Sequence, residues 1–176
     1  MDSNSRGTKN SMLQDFFVTC LQELYWSETH LVEMLNTMSI AATTPQLKEA
    51  FIVHKEETEK QKKRLEEVFT LMGLPPQAER CAGLQGLFDE GWQVIDETEA
   101  GSAQRDVALI IAAQKVEHYE IASYGSLITL AKTMGQKEVA NILTPTLKEE
   151  KNADNALTEI AEAGINIDAS RERLNV

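Results

Sequence analysis

The chain has 176 residues, 42% of them hydrophobic and 26% charged, enough for one domain with a substantial core. A net charge of −11 disfavours nucleic acid and anionic membranes as partners. No run approaches the ~20 apolar residues needed to span a bilayer, and two cysteines, Cys20 and Cys81, are too few for a disulfide framework. Four prolines and nine glycines, confined to a few places, favour long helices over many strands.

Residues 1–10 are polar and lack an apolar signal core, so they read as a disordered lead-in without an export signal, and the cytoplasm is the expected location. Helix A is expected from Ser11, where Ser11 and Gln14 have capping-box spacing, to about Ala42. Thr44 and Pro45 have the chemistry of an N-cap and first helical residue for helix B, which should end at Gly73 before Pro75-Pro76. The crossover from Leu74 to Ser102 carries an amphipathic segment with Leu84, Leu87, Phe88, Trp92 and Ile95 on one face, suited to cover the other helices or to meet a partner. Helix C is expected from the Gly101-Ser102 break to Gly135, and helix D from there to Gly164. Residues 165–176 show no pattern and are expected to form a tail. The expected architecture is all-α, with residues 11–164 as a four-helix bundle. Two hairpins joined by one long crossover have ferritin-like connectivity, although an up-down bundle with a fifth helix fits the same pattern.

The core-facing line of each helix is interrupted near its midpoint. Helix A reads Leu21, Leu24, Glu28, Leu31, Leu35. Helix B reads Ala50, His54, Glu57, Gln61, Leu65. Helix C reads Ala113, Glu117, Glu120, Tyr124, Leu127, and helix D reads Leu147, Glu150, Asp154, Leu157. Midpoints of antiparallel helices of similar length lie at one level, so the acids should converge in one layer. Unpaired buried carboxylates are costly and repel one another. No Arg or Lys lies on these lines; Arg64 and Lys148 lie beside them. A pair of divalent cations removes the conflict, and oxygen donors with one imidazole suit iron or manganese. A single glutamate on an apolar stripe is more often a surface residue, and a single histidine or tyrosine a packed one; the coincidence across four helices carries the argument.

The run Ala112-Ala113-Gln114-Lys115-Val116-Glu117-His118-Tyr119-Glu120-Ile121-Ala122-Ser123-Tyr124-Gly125 resembles the third-helix signature of the YciE/YciF group, a bacterial ferritin-like family of largely uncharacterised function. His54-Lys55-Glu56-Glu57-Thr58 with Gln61, Leu24-Tyr25 with Glu28, and Leu147-Lys148-Glu149-Glu150 with Asp154 are similar to the same family. The similarity spans about residues 11 to 163. It implies a dimetal bundle, often dimeric and associated with bacterial stress responses, without an established reaction. The superfamily pattern of two Glu-x-x-His motifs is not met: Glu57 is followed three residues later by Lys60, and Glu150 by Ala153.

The expected metal ligands are Glu28, Glu57, Glu117 and Glu150, with His54 and Glu120 as additional ligands. Asp154 stands in for a missing histidine, and Gln61 orients ligands from one turn away. Tyr124 is the candidate catalytic residue, able to donate a hydrogen bond or an electron; its structural alternative is packing. His118 points about 100° from Glu117 and His30 lies off the core line, so neither is an expected ligand. Pro145 lies inside helix D, one turn before Glu150, where a bend either aims that carboxylate or has no role. The expected activity is oxidation of Fe(II) by dioxygen or peroxide, or manganese-dependent peroxide disproportionation. The competing expectations are a non-enzymatic bundle stapled by a structural metal and a metal-free helical adaptor.

Overall fold

The computed structural model describes residues 11–173, which are helical apart from their connections. The expected N-terminal lead-in falls outside them. Four long helices, α1 (Met12–Ala41), α2 (Pro45–Leu71), α4 (Ala103–Thr133) and α5 (Lys137–Ile160), surround the core, and α3 (Ala82–Glu97) lies within the crossover. The starts and stops follow local chemistry. Ser11 Oγ accepts the Gln14 N–H at 3.1 Å, and Ser102 Oγ accepts that of Arg105 at 3.0 Å. Gly73 and Gly135 take left-handed φ values of 70° and 77° just past α2 and α4, a conformation that costs glycine little. Thr44 precedes Pro45 as expected, yet its side chain makes no cap bond.

α1 pairs with α2 and α4 with α5 as hairpins, while α2 packs on α5 and α1 on α4. The ends show the directions. Thr43, after α1, meets Ser102 and Asp106 at the start of α4, so α1 and α4 run antiparallel. The chain leaving α2 passes α1, where Glu79 N–H donates to Gln22 O at 3.1 Å, and α3 then covers α1 and α4. Leu84 and Phe88 of α3 are buried, whereas Trp92 remains half-exposed. Gly91 seats Met34: a Cβ there would lie 2.1 Å from Met34 Cε.

The C-terminal segment differs from expectation. The helix breaks at Gly164 as expected, where φ of 176° and ψ of −33° leave the helical region, but the residues beyond it are not a patternless tail: they form a short helix, α6 (Asn166–Arg171). Ile165, just past the break, is buried. The carboxylate of Glu172 accepts the free N–H groups of Ala103 and Gln104 at 2.6 and 2.9 Å, completing the start of α4. Pro145 is accommodated within an α5 that runs unbroken from Lys137 to Ile160.

The apolar core is in two parts. One contains Leu31, Leu35, Leu47, Phe51, Leu109, Ala113 and Leu157; the other contains Leu21, Leu24, Leu65, Val68, Leu127 and Leu143. Apart from Asp106 at the start of α4, the buried polar residues of every long helix fall between these two sets. No described helix is long and apolar enough to cross a membrane.

Candidate metal centre

The polar layer takes residues from all four long helices. α1 contributes Glu28, with Leu24 and Leu31 one turn away on either side. α2 contributes His54, Thr58 and Gln61; α4 contributes Glu117, Glu120 and Tyr124; and α5 contributes Thr146 and Glu150. Glu28, Glu120 and Glu150 are fully buried, Glu117 is 1% exposed and His54 5%. Positions three, four or seven apart on one helix share a face, so each helix places its polar residues inward with the stripe of leucines that anchors it.

His54 is the hub. Its Nε2 lies 3.2 Å from Glu117 Oε2 and 3.6 Å from Glu150 Oε2, and its Nδ1 lies 3.5 Å from Glu57 Oε2. One ligand-capable atom each from His54, Glu117 and Glu150 falls within 4.8 Å of the other two, compact enough to converge on one ion. Tyr124 donates its hydroxyl to Glu28 Oε1. Gln61 donates to Glu150 Oε1 and, at 3.2 Å, to Glu149 Oε2. Arg64 holds Glu149 from both sides of its guanidinium at 2.5 and 2.8 Å, and reaches Thr146 Oγ1 at 3.2 Å. Arg64 therefore neutralises Glu149 at the edge and leaves the interior acids with His54 as the one imidazole among them.

Those acids are poorly satisfied by the protein. Nine buried side-chain polar atoms lack a hydrogen-bond partner among the described residues, and seven belong to this layer: Glu28 Oε2, His54 Nε2, Gln61 Oε1, Glu117 Oε2, both Glu120 oxygens and Glu150 Oε2. Such atoms are rare in native cores. Burial pushes the Glu28 carboxyl up to about 8, against the pull of Tyr124 and His54. Burial likewise holds Glu120 and Glu150 well above the ordinary range; Glu28 reinforces the effect at Glu120, and Glu120 at Glu150. His54 goes up despite burial, because Glu117, Glu57 and Glu150 favour its charged form. Glu117 goes down despite burial, drawn by His54. Metal-free, the layer resolves into a His54–Glu117 ion pair with neighbouring carboxyls that tend to keep their protons. Two divalent cations would match four ionised carboxylates charge for charge, with His54 neutral. The donor set fits such a pair.

The comparisons agree with this architecture. Residues 12–170 match a family model described as Domain of unknown function (DUF892). The chain belongs to that family. Protein YciF of Escherichia coli K12 is 41% identical over 155 residues, covering 88% of this chain and 93% of YciF. The crystal structure of the E. coli stress protein YciF superposes with a TM-score of 0.83 at 39% identity, over 89% of this chain and 99% of that one. YcfI from Rhodopseudomonas palustris superposes with a TM-score of 0.79 at 33% identity, over 88% and 96%. The resemblance read from the third-helix run is thus confirmed, and the all-helical fold is shared with these family members.

Of the residues singled out in the sequence, the structure brings Glu28, His54, Glu117, Glu120, Glu150, Gln61 and Tyr124 into one layer. It separates two others. Asp154 turns toward α4, where Gln114 Nε2 donates to its Oδ1 at 3.1 Å and His118 Nδ1 lies 3.4 Å away. Its expected place as a histidine substitute is corrected: α4 offers it polar partners outside the layer. Glu57 is 31% exposed and meets Nδ1 of His54, the ring nitrogen opposite the cluster. It orients the imidazole from the rim instead of closing on the His54–Glu117–Glu150 group. His118 and His30 are exposed and donate to the backbone carbonyls of Gln114 and Trp26. The Arg64–Glu149–Gln61 chain was missed. Its signal was a short one: an arginine three residues after a core glutamine, opposite a Glu-Glu pair.

Proposed function

We propose that this chain is a ferritin-like four-helix bundle that holds two divalent ions, iron or manganese, among Glu28, His54, Glu117, Glu120 and Glu150. In this reading it handles iron or small oxidants under stress as a cytoplasmic homodimer. The observation that carries the reading is the set of seven buried polar atoms from four helices without a hydrogen bond among the described residues, only two of which, on His54 and Glu117, meet as an ion pair, enclosed between two apolar clusters. Further support comes from the antiparallel pairing of the long helices with one long crossover, and from YciF, which is called a stress protein.

Bound iron or manganese would supply redox chemistry toward dioxygen or peroxide. The chain's own residues prepare the place for it. The apolar layers above and below close the layer at its two ends. Tyr124 keeps one Glu28 oxygen engaged and leaves the other free. Gln61, itself held toward α5 by the Arg64-bound Glu149, fixes one Glu150 oxygen and leaves its partner facing His54. Glu57 holds Nδ1 of His54, which directs Nε2 inward. Tyr124 holds its hydroxyl proton against Glu28, and its own deprotonation is strongly opposed by burial and by Glu28 and Glu120.

A second reading has one observation in its favour: YcfI is provisionally described as a structural protein. There the same ions would act only as a staple between helices. Metal content per chain after aerobic, tag-free purification tests both readings against a Glu28→Ala/Glu150→Ala variant. Close to two ions per chain, lost in the variant, supports a dimetal centre. Turnover of Fe(II) or peroxide by the loaded protein then separates catalyst from staple, and metal-free protein after anaerobic loading with Fe(II) and Mn(II) overturns both.

A further inference from the structure

A cavity of about 330 Å³ opens between α2 and α5 and ends at His54 and Glu117. Its α2 wall is Ala50, Val53, His54 and Glu57, spaced three and four apart on one face, and its α5 wall is Ala153, Ala156 and Leu157. The cavity exists because α5 presents two alanines there. Ala153 follows Glu150 by three residues, the position at which a Glu-x-x-His motif would place an imidazole. His54 enters the layer from the opposite helix instead, and the space beside it stays open.

The lining selects for a particular chemistry. The alanines, Phe51, Val53 and Leu157 make most of the exposed lining apolar, with Gln46, Asn152 and two glutamates also among the lining residues, so a highly hydrated molecule would lose solvation along these walls. Glu49 and Glu57 stand among the lining residues and the whole chain carries −11, so anions are repelled. At the inner end Glu117 Oε2 and His54 Nε2 face each other at 3.2 Å and have no well-aligned hydrogen-bond partner among the described residues. The volume lies at the small end of the range of ligand pockets. We propose that this cavity binds a small uncharged molecule with an apolar body and one polar end, seated between α2 and α5 against the His54–Glu117 edge. This deepens the dimetal reading by assigning that centre an organic ligand beside its oxidant. Binding itself needs only the pocket.

The probe is 4-fluorophenol, followed by fluorine NMR on metal-free and manganese-loaded full-length protein, with 4-fluorobenzoate as the anionic control. Two variants block the space: Ala153→Phe fills it, and Val53→Trp, at a residue 45% exposed, covers the opening without disturbing the core. If Ala153→Phe fails to fold by circular dichroism, Val53→Trp carries the test. Saturable binding of 4-fluorophenol, weakened tenfold or more by the block and at least tenfold tighter than 4-fluorobenzoate, is expected. No saturable binding, equal binding of the anion, or binding indifferent to both variants overturns the pocket. So does a block that slows manganese loading while 4-fluorophenol does not bind, which would make the cavity a cation route. A protein that binds the probe but never holds metal retains the pocket and loses the dimetal reading; one that holds metal but not the probe does the reverse.

Discussion

Asp106 and the mid-bundle glutamates are equally buried, and they differ in what meets them. Asp106 accepts the backbone N–H groups of Thr43 and Thr44 at 2.6 and 2.8 Å, one on each carboxylate oxygen. Its charge is satisfied by the protein, and it ties the turn between α1 and α2 to the start of α4. Among the described residues Glu120 has neither oxygen hydrogen-bonded, Glu28 and Glu150 each leave one oxygen without a hydrogen bond, and Glu117 has only His54 beside its Oε2. A carboxylate kept for structure is surrounded by donors. In the proposed reading, a carboxylate kept for a cation is left with free acceptors, at a cost of several kcal/mol to the metal-free fold.

The largest expected effect breaks this comparison outright if it is absent. Manganese or anaerobic Fe(II) at about a thousand times the dissociation constant should stabilise the protein by about 4 kcal/mol, and raise Tm by roughly 8–16 °C. Chelator should reverse the gain, and Glu28→Ala/Glu150→Ala should show none; calorimetry with and without metal reads both. Next in size, Asp106→Ala strands two N–H donors and should cost about 2–4 kcal/mol by urea unfolding. That loss should be the same with and without metal, because Asp106 takes no part in the layer.

A pH series sharpens the contrast further. Glu28 titrates near its ordinary value of 4.5 when unfolded and at about 8 when folded, so between these values the metal-free native state binds the extra proton. Its stability should therefore fall as pH rises from about 4.5 to about 8. Glu120, Glu150 and His54, all raised, add to the same slope, while Glu117, lowered, opposes it only at the acid end. Metal binding displaces those protons, so affinity should rise over the same window. A Tm profile of chelated protein that climbs from pH 5 to 8 would contradict the assignment.

Two smaller effects follow. Glu120→Gln removes a buried acid with no partner, and should stabilise the metal-free protein at pH 8 by about 1–2 kcal/mol while weakening metal retention. Stabilisation without loss of metal would remove Glu120 from the ligand set. Tyr124→Phe deletes one hydrogen bond to Glu28 and should cost about 1 kcal/mol. A larger loss confined to the metal-loaded form would show that the hydroxyl supports the bound state.

Most of the helix limits were legible because their causes are local. A serine three residues ahead of an N–H, a proline at a first turn and a glycine past a last turn act within a few residues, and Ser11, Pro45, Gly73 and Gly135 stand where those rules put them. The layer was legible for a related reason: period 3.6 assigns residues to a face before any neighbour is known, so Glu28, His54, Glu117, Glu120, Tyr124 and Glu150 could be placed inward from spacing alone. Gly164 belongs with the local signals, since the backbone leaves the helical region there, whereas the short α6 beyond it was not legible because residues 166–171 carry no apolar period.

The sequence by itself therefore determined the helices, their inward faces and the level at which acids interrupt them. Only the tertiary structure decided which of those acids meet. Asp154 is four residues beyond Glu150 and shares its face to within about 40°, yet Gln114 and His118 on α4 draw it out of the layer. Asp106 reads as an ordinary first-turn acid until α1 and α2 deliver two backbone donors from sixty residues away. A side chain's direction is set by its own helix, but its partners are set by the height and rotation of the helix opposite, and those depend on packing throughout the core.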